Sequence, residues 1–137
     1  MNKEDLINEA RKAAETSYSP YSKFRVGAAL LCADGSVYRG TNIENRSYGL
    51  TICAERSAFF SAVSDGKKEF TALAIHSPDA EYPLPPCGAC RQVITEFVAP
   101  DFPVHLSSGN GDTQSLKAEE LYPFDSLKEL AERQDTM

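Results

Sequence analysis

The chain has 137 residues, of which 42% are hydrophobic, so it fits one domain with a single core that needs no disulfide or metal support. Fourteen basic and twenty acidic residues give a net charge of −6, and no segment gathers the Lys and Arg residues that would neutralise phosphates. No stretch approaches the roughly 20 consecutive apolar residues of a membrane helix, and charges within the first five residues argue against a signal segment. We therefore expect one cytoplasmic domain over residues 1–137, with neither nucleic-acid nor membrane partners.

The first part of the chain predicts a helix followed by a strand pair. The helix is expected from about Lys3 to Ser17, because its apolar residues recur at helical spacing. Two apolar runs follow, from Val26 to Cys32 and from Ser36 to Ile43. The turn between them contains an Asp-Gly pair, which favours a hairpin.

The middle of the chain predicts helices that alternate with buried strands. Helical spacing covers Cys53 to about Val63 and Gly88 to Val98, while Thr71–His76 and Pro103–Leu106 are typical of short strands. Such alternation predicts a sheet covered by helices on both faces, with function where strands end and helix N-termini open.

The C-terminal part carries weaker signals. Leu116–Leu121 and Ser126–Ala131 have weak helical patterns, and the last residues, from Gln134, are expected to be frayed. No function is predicted from this part of the chain.

Four cysteines in a chain expected to be cytosolic indicate metal binding or catalysis rather than disulfides. Cys87 and Cys90 are three residues apart, so a helix start brings both sulfurs to one side, where they can bind a tetrahedral metal. A redox dithiol also fits this pair but does not account for a third cysteine. His76 and His105 occur singly in apolar runs and are interpreted as ordinary core or surface residues, so a metal site must depend on sulfur.

Cys53 begins a predicted helix, and Glu55 follows two residues later. Free backbone N–H groups and the positive end of the helix dipole favour a thiolate at Cys53. A metal beyond the helix end can be bound by Cys53 while Glu55 points at the metal's water. The alternative is that Cys53 is a small buried residue and Glu55 a favourable acid in the first turn.

Three sulfur ligands and one open position are typical of a catalytic zinc site, because a structural site normally closes with a fourth protein ligand. Cys32 is the candidate for that closure. It lies inside an apolar run, where a buried and inert thiol is the favoured interpretation. If Cys32 were a ligand, the chain would be a structural zinc module that binds a partner through its surface.

The two cysteine segments resemble the zinc motifs of cytidine deaminases. These segments read Cys-Ala-Glu-Arg at 53–56 and Pro-Cys-Gly-Ala-Cys-Arg-Gln at 86–92, and the similarity extends to residues 21–27 and 42–45. The resemblance covers the chain from about the first helix to Val98. It implies an α/β fold, a three-layer sandwich whose mixed, mainly parallel-ended sheet of about five strands has helices on both faces.

The resemblance also implies hydrolytic deamination of cytidine and 2′-deoxycytidine, with one Zn²⁺ per subunit held by Cys53, Cys87 and Cys90. Zinc acidifies its bound water, and Glu55 takes that proton and passes it to ring nitrogen N3 and then to the leaving amine. Three thiolates leave the site negative, and Arg56 is the residue expected to offset that charge.

Similar enzymes bind the nucleoside at positions that correspond to Phe24, Asn42, Glu44 and the backbone of Ala54. Asn42 and Glu44 are two residues apart at a predicted strand end, so they project from the same face and could bind the ribose. The Glu44 carboxylate repels phosphate, which favours a small-molecule nucleoside over a nucleotide. Deamination of another cyclic amidine nucleoside is the alternative activity.

The C-terminal part departs from the family pattern. The family often carries a Gly-Ala-Phe stretch whose phenylalanine reaches a neighbouring subunit's active site, and here Phe124 is followed directly by Asp125. Phe124 is the candidate substitute. By resemblance alone, we expect a homotetramer.

Overall fold

The computed structural model describes residues 1–134. Its helices and strands, in chain order, are α1 (Lys3–Ala14), β1 (Gly27–Cys32), β2 (Val37–Thr41), a 3₁₀ turn (Tyr48–Leu50), α2 (Ala54–Ser64), β3 (Phe70–Ser77), α3 (Gly88–Phe97), β4 (Pro103–Ser108), β5 (Thr113–Lys117), α4 (Ala118–Leu121) and α5 (Lys128–Gln134).

The strands form one mixed sheet in the order β2-β1-β3-β4-β5. β1 pairs antiparallel with β2 and with β3, β4 pairs antiparallel with β5, and β3 and β4 are parallel. The predicted five-stranded mixed sheet is confirmed, but the expectation of a mainly parallel arrangement is wrong for the described chain. Short turns join β1 to β2 and β4 to β5, which requires antiparallel pairing, whereas the crossover through α3 makes β3 and β4 parallel.

Helices cover both faces of the sheet, as predicted. Alternate residues of each strand point to opposite faces, so Ala29 of β1 packs against α1 while Ala28 and Leu30 face the larger core under α2 and α3. The helical stripe predicted for α1 is confirmed, because all of its members are buried: Leu6, Ile7, Ala10, Ala13 and Ala14.

The larger core, under α2 and α3, holds these two helices against each other. Phe59 of α2 stacks on Phe97 of α3 with ring centroids 5.7 Å apart, and Phe70 of β3 meets Phe59 edge-on at 5.4 Å. Gly40 of β2 lets α2 approach closely, since a Cβ there would lie 2.4 Å from the carbonyl oxygen of Ala54. The start of α2 is therefore held tightly on the sheet.

The first helix was predicted to end at about Ser17, but α1 ends at Ala14. The N–H groups of Thr16 and Ser17 donate to carbonyls three residues back, at Ala13 and Ala14, so the chain leaves the helix in a tight turn. The Ser17 hydroxyl then donates to the Asn42 side chain. This contact with the residue after β2 stabilises the turn in place of a further turn of helix. Because the two residues are distant in the chain, the local sequence could not predict it.

The predicted helix at Leu116–Leu121 is partly wrong, because Leu116 pairs with Val104 of β4 and belongs to β5. β5 is an exposed and largely polar edge strand, so it lacks the apolar alternation that would have predicted it. The pattern predicted from Ser126 begins as a helix only at Lys128. Gln134 lies in α5, and the rest of the predicted frayed end falls outside the described residues.

Within residues 1–134, no helix combines the length and apolar character needed to cross a membrane.

Candidate active site

Two helix N-termini meet on the α2 and α3 side of the sheet and bring three cysteines together. Cys53 is the N-cap of α2, Cys87 is the N-cap of α3, and Cys90 lies in the first turn of α3. N-cap side chains commonly accept a hydrogen bond from the helix backbone, but those of Cys53 and Cys87 accept none. Their sulfurs are therefore available to bind something beyond the helix ends.

The three sulfurs have the spacing of a shared metal site. All three Sγ atoms lie within 4.8 Å of one another, and those of Cys53 and Cys87 are 3.8 Å apart. Tetrahedral zinc with Zn–S bonds of about 2.3 Å places its sulfurs about 3.8 Å apart. The donor set therefore fits zinc, and the prediction that these thiols lie close enough to share one ion is confirmed.

Cys32 lies outside this group. It is 2% exposed and belongs to the hydrophobic core under α2 and α3. Among the described residues, the group able to hold a metal contains three thiols. This arrangement favours the site with an open position over the structural module with four sulfurs.

Arg56 lies one turn into α2 and points back at the sulfurs. Its Nη2 donates to Cys53 Sγ at 3.3 Å, and its buried Nε has no hydrogen-bond partner among the described residues. Hydrogen bonds and the attraction of the thiols raise the pKa of Arg56, while a hydrogen bond with Cys90 and the guanidinium lower the pKa of Cys53. Cys53 is thus set up to carry thiolate charge, whereas a hydrogen bond with Cys53 and burial raise the pKa of Cys90.

Glu55 is buried beside the cysteines, with 4% of its surface exposed. Burial raises the pKa of its carboxyl to about 7, and the negative charge of Cys53 adds to the rise. A carboxyl with a pKa near neutrality can both accept and donate a proton at the pH of the cell. This is the property that a proton-shuttling residue needs.

A cavity of about 390 Å³ opens above the cysteines. Cys53, Cys87 and Glu55 lie in its wall, whereas Cys90 is buried and does not line it. The structure brings every predicted nucleoside-binding residue to this cavity: Phe24, Asn42, Glu44 and Ala54. The volume is that of a small-molecule site.

Part of the cavity wall was not predicted from the sequence. Its other lining residues are Ser22, Val26, Thr51, Ile75, Leu84 and Pro85. Ser22 and Val26 fall within the segment that carries the family resemblance, which was a signal that went unused. Thr51 and Leu84 stand in no motif, so nothing in the sequence could have identified them.

Asn42 and Glu44 hold the loop between α1 and β1. The Asn42 amide donates to the Phe24 carbonyl at 2.8 Å and accepts from the Val26 N–H at 3.0 Å. Glu44 Oε1 accepts from the N–H of Tyr21 at 3.0 Å and of Ser22 at 3.1 Å, and the Ser22 hydroxyl donates to Oε2. Both side chains therefore shape the cavity as well as line it.

Phe124 is 91% exposed and does not line the cavity of its own chain. It follows α4, whose last carbonyl, at Leu121, accepts a 2.7 Å hydrogen bond from Arg91 Nη1. The position of α4 is thus tied to α3, the helix that carries two of the cysteines.

The fold and the site together define an α/β metalloprotein with a three-sulfur zinc centre and a buried carboxyl beside it. Residues 1–106 match the family described as "Cytidine and deoxycytidylate deaminase zinc-binding region". Because this match spans more than half of the chain, the protein belongs to that family and has a zinc-binding deaminase domain.

Individual relatives align with nearly the whole chain. It is 54% identical to a cytidine deaminase of Sporosarcina psychrophila over 94% of both sequences, and 53% identical to that of Halalkalibacterium halodurans over 90% of this chain and 92% of the relative. The crystal structure of cytidine deaminase from Burkholderia pseudomallei superposes with a TM-score of 0.87 at 46% identity, covering 90% of this chain and 98% of that one. A more distant relative, 37% identical over 88% of this chain and 89% of its own length, is a blasticidin-S deaminase of Bacillus cereus.

Proposed function

We propose that the protein catalyses the zinc-dependent hydrolytic deamination of cytidine and 2′-deoxycytidine to uridine and 2′-deoxyuridine, with release of ammonia. The observation that carries this proposal is the buried Glu55 carboxyl beside three convergent thiols at the base of a nucleoside-sized cavity. Relatives named cytidine deaminase, 54% and 53% identical to this chain, supply the substrate class.

Cys53, Cys87 and Cys90 would hold the zinc ion, whose chemistry is to make a water acidic enough to react near neutral pH. Glu55 is the residue that moves the proton. It accepts one proton from the water and gives it to ring nitrogen N3, then takes the second proton from the oxygen that has joined C4 and gives it to the amino group, which leaves as ammonia. Burial keeps Glu55 away from bulk water and holds its pKa near 7, so both directions of transfer are accessible.

The nucleoside would lie between the loop that carries Phe24 and the start of α2. The Ala54 backbone borders the base, and Phe24 packs on the nucleoside. Glu44 already accepts three hydrogen bonds, which leaves one of the roughly four acceptor sites of a carboxylate for a sugar hydroxyl. Those bonds lower the pKa of Glu44, so its negative charge is retained and disfavours a phosphorylated substrate.

We further propose a cytoplasmic role in pyrimidine salvage and a homotetrameric assembly. The exposure of Phe124 supports the assembly, because Phe124 is the candidate substitute for the family phenylalanine that reaches a neighbouring subunit's site. Light scattering on the purified protein tests the assembly, and a monomer at micromolar concentration would contradict it.

A second activity, deamination of blasticidin S, is supported by the relative named blasticidin-S deaminase. Turnover of cytidine, 2′-deoxycytidine, cytidine 5′-monophosphate and blasticidin S, followed by loss of absorbance and by released ammonia, separates the two. We expect the two nucleosides to be the best substrates. A folded, zinc-loaded protein that deaminates neither nucleoside would refute the leading proposal, and preferential turnover of blasticidin S would establish the second.

A further inference from the structure

The cavity has two walls that come from separate parts of the chain. One wall is the loop before β1, with Phe24 and Val26, and the other is the loop after β3, with Leu84 and Pro85. The relative position of these loops sets the width of the space that a nucleoside enters. A contact that joins them therefore bears on substrate binding.

Arg25 lies between Phe24 and Val26 and joins the two loops. Its backbone N–H donates to Asp79 Oδ2 at 2.8 Å, its Nε donates to the same oxygen at 3.0 Å, and its Nη2 donates to Oδ1 at 2.8 Å. The Arg25 carbonyl accepts a 2.7 Å hydrogen bond from the buried Ser77 hydroxyl. Both the backbone and the side chain of Arg25 are thus fixed to the end of β3 and to the segment that follows it.

That segment is itself anchored. The Ala80 carbonyl accepts from the Gly109 N–H at 3.0 Å, and the Glu81 carbonyl accepts from Asn110 Nδ2 at 2.8 Å. On the opposite side, Asn42 bonds the backbone of the residues that flank Arg25. The cavity wall that contains Phe24 is therefore held on one side by hydrogen bonds to Asn42 and on the other by hydrogen bonds to Asp79.

The pair is on the surface, with 47% of the Arg25 side chain and 26% of the Asp79 side chain exposed. Surface ion pairs contribute little to global stability. Hydrogen bonds from Arg25 hold the pKa of Asp79 down to about 2, so the pair is charged at neutral pH. Its effect is local: it fixes where one loop lies relative to the other.

We propose that Arg25 and Asp79 are positioning residues that set the distance between the two cavity walls and thereby the affinity for the nucleoside. Neither side chain lines the cavity, so they act through Phe24 and the loop that precedes Leu84. This inference rests on the proposed deaminase function. It predicts a change in substrate binding with little change in the chemical step.

The test is Asp79→Ala in the zinc-loaded protein with cytidine as substrate. We expect KM to rise about fivefold or more while kcat stays within about twofold, which is the pattern when binding is lost equally in the ground state and the transition state. Asp79→Asn keeps an oxygen for the Arg25 N–H and should raise KM less. Glu9→Ala is the matched control, because Glu9 forms a similar surface ion pair with Arg39 away from the cavity. The Arg39 side chain is 50% exposed and that of Glu9 is 21% exposed. The KM of Glu9→Ala should equal that of the unmodified protein.

Hydrogen exchange of the 20–26 segment gives a readout that does not need turnover. We expect these amides to exchange faster in Asp79→Ala than in the unmodified protein or in Glu9→Ala. An unchanged KM in Asp79→Ala, an equal rise in Glu9→Ala, or unchanged exchange at 20–26 would overturn the proposal. If the unmodified protein deaminated no nucleoside, the proposed function would fail, and the exchange measurement would still decide whether the pair positions the loop.

Discussion

The Nη2 atom of Arg56 lies 3.3 Å from the Sγ atom of Cys53. Cys53 is the N-cap of α2 and Arg56 lies in its first turn, so one helix start supplies both a thiol and the cation that faces it. Three thiolates around a divalent ion carry a net negative charge, which opposes the acidification of a bound water. The guanidinium reduces that charge at the sulfur, with the N-termini of α2 and α3 adding partial positive charge.

Replacing Arg56 by Gln is therefore expected to lower kcat/KM by about 10- to 100-fold while the protein remains folded. Arg56→Lys should recover part of the activity, because it restores the charge without the planar fork of donors. Steady-state kinetics on samples with measured zinc content check this. Full activity of a zinc-loaded Arg56→Gln protein would show that the contact has no electrostatic role.

Glu55→Gln is expected to keep the fold and the zinc but lose activity by a factor of at least about 100. Glutamine has nearly the same shape and cannot take up the proton. Because Glu55 is buried, replacing its carboxylate by a neutral amide also removes a charge that is costly to bury. The thermal stability of the variant should therefore not fall. Zinc analysis, thermal unfolding and turnover of cytidine are measured on the same sample. Activity close to that of the unmodified protein would remove Glu55 from the mechanism.

The cysteines are predicted to differ in their effect on metal content. Cys90→Ala and Cys87→Ala should each lose stoichiometric zinc, since each removes one of three ligands, whereas Cys32→Ala should retain it because Cys32 lies in the core. Loss of the buried thiol should cost about 1 kcal/mol of stability. Elemental analysis gives the metal content of each variant. X-ray absorption of the unmodified protein should show three sulfurs and one oxygen, and four sulfurs would favour the structural module.

Much of the site could be predicted because its signals are local. Cys53 and Glu55 share one helix start, and Cys87 and Cys90 share another, so the spacing within each pair indicates its role. That the two pairs meet is a property of the fold: Phe59 and the absence of a side chain at Gly40 bring the helices together. Only the family resemblance made this meeting predictable from the sequence.

Other features were beyond the sequence because they depend on distant partners. α1 ends early because Ser17 bonds to Asn42, 25 residues away, and β5 pairs as a polar edge strand that resembles a loop. The bond between Arg25 and Asp79 joins residues 54 positions apart, and no spacing rule indicates it. Tertiary contacts of this kind decide where helices end and where cavity walls lie.

His76 provides a pH-dependent test of the core. It is 2% exposed on β3, and its Nδ1 is 2.9 Å from the Ser107 hydroxyl of β4. Burial lowers the pKa of His76, and the positive charge of Arg11 on α1 lowers it further. The unfolded chain, with a histidine pKa of about 6.5, therefore binds a proton at higher pH than the folded one does.

His76 should consequently contribute a fall in the free energy of unfolding as pH is lowered through about 6.5, whereas Glu55, whose pKa is raised to about 7, contributes a rise that is the same in a His76 variant. In His76→Asn, whose amide can still reach Ser107, this fall should be smaller between about pH 7 and pH 5. His105 contributes in the same direction, because burial lowers its pKa too, so the variant should retain part of the dependence. Acid also protonates thiolates and releases zinc, but this affects both proteins and cancels in their difference. Denaturant unfolding at a series of pH values measures the effect, and identical pH profiles for the variant and the unmodified protein would show that His76 is already able to take up a proton in the folded state.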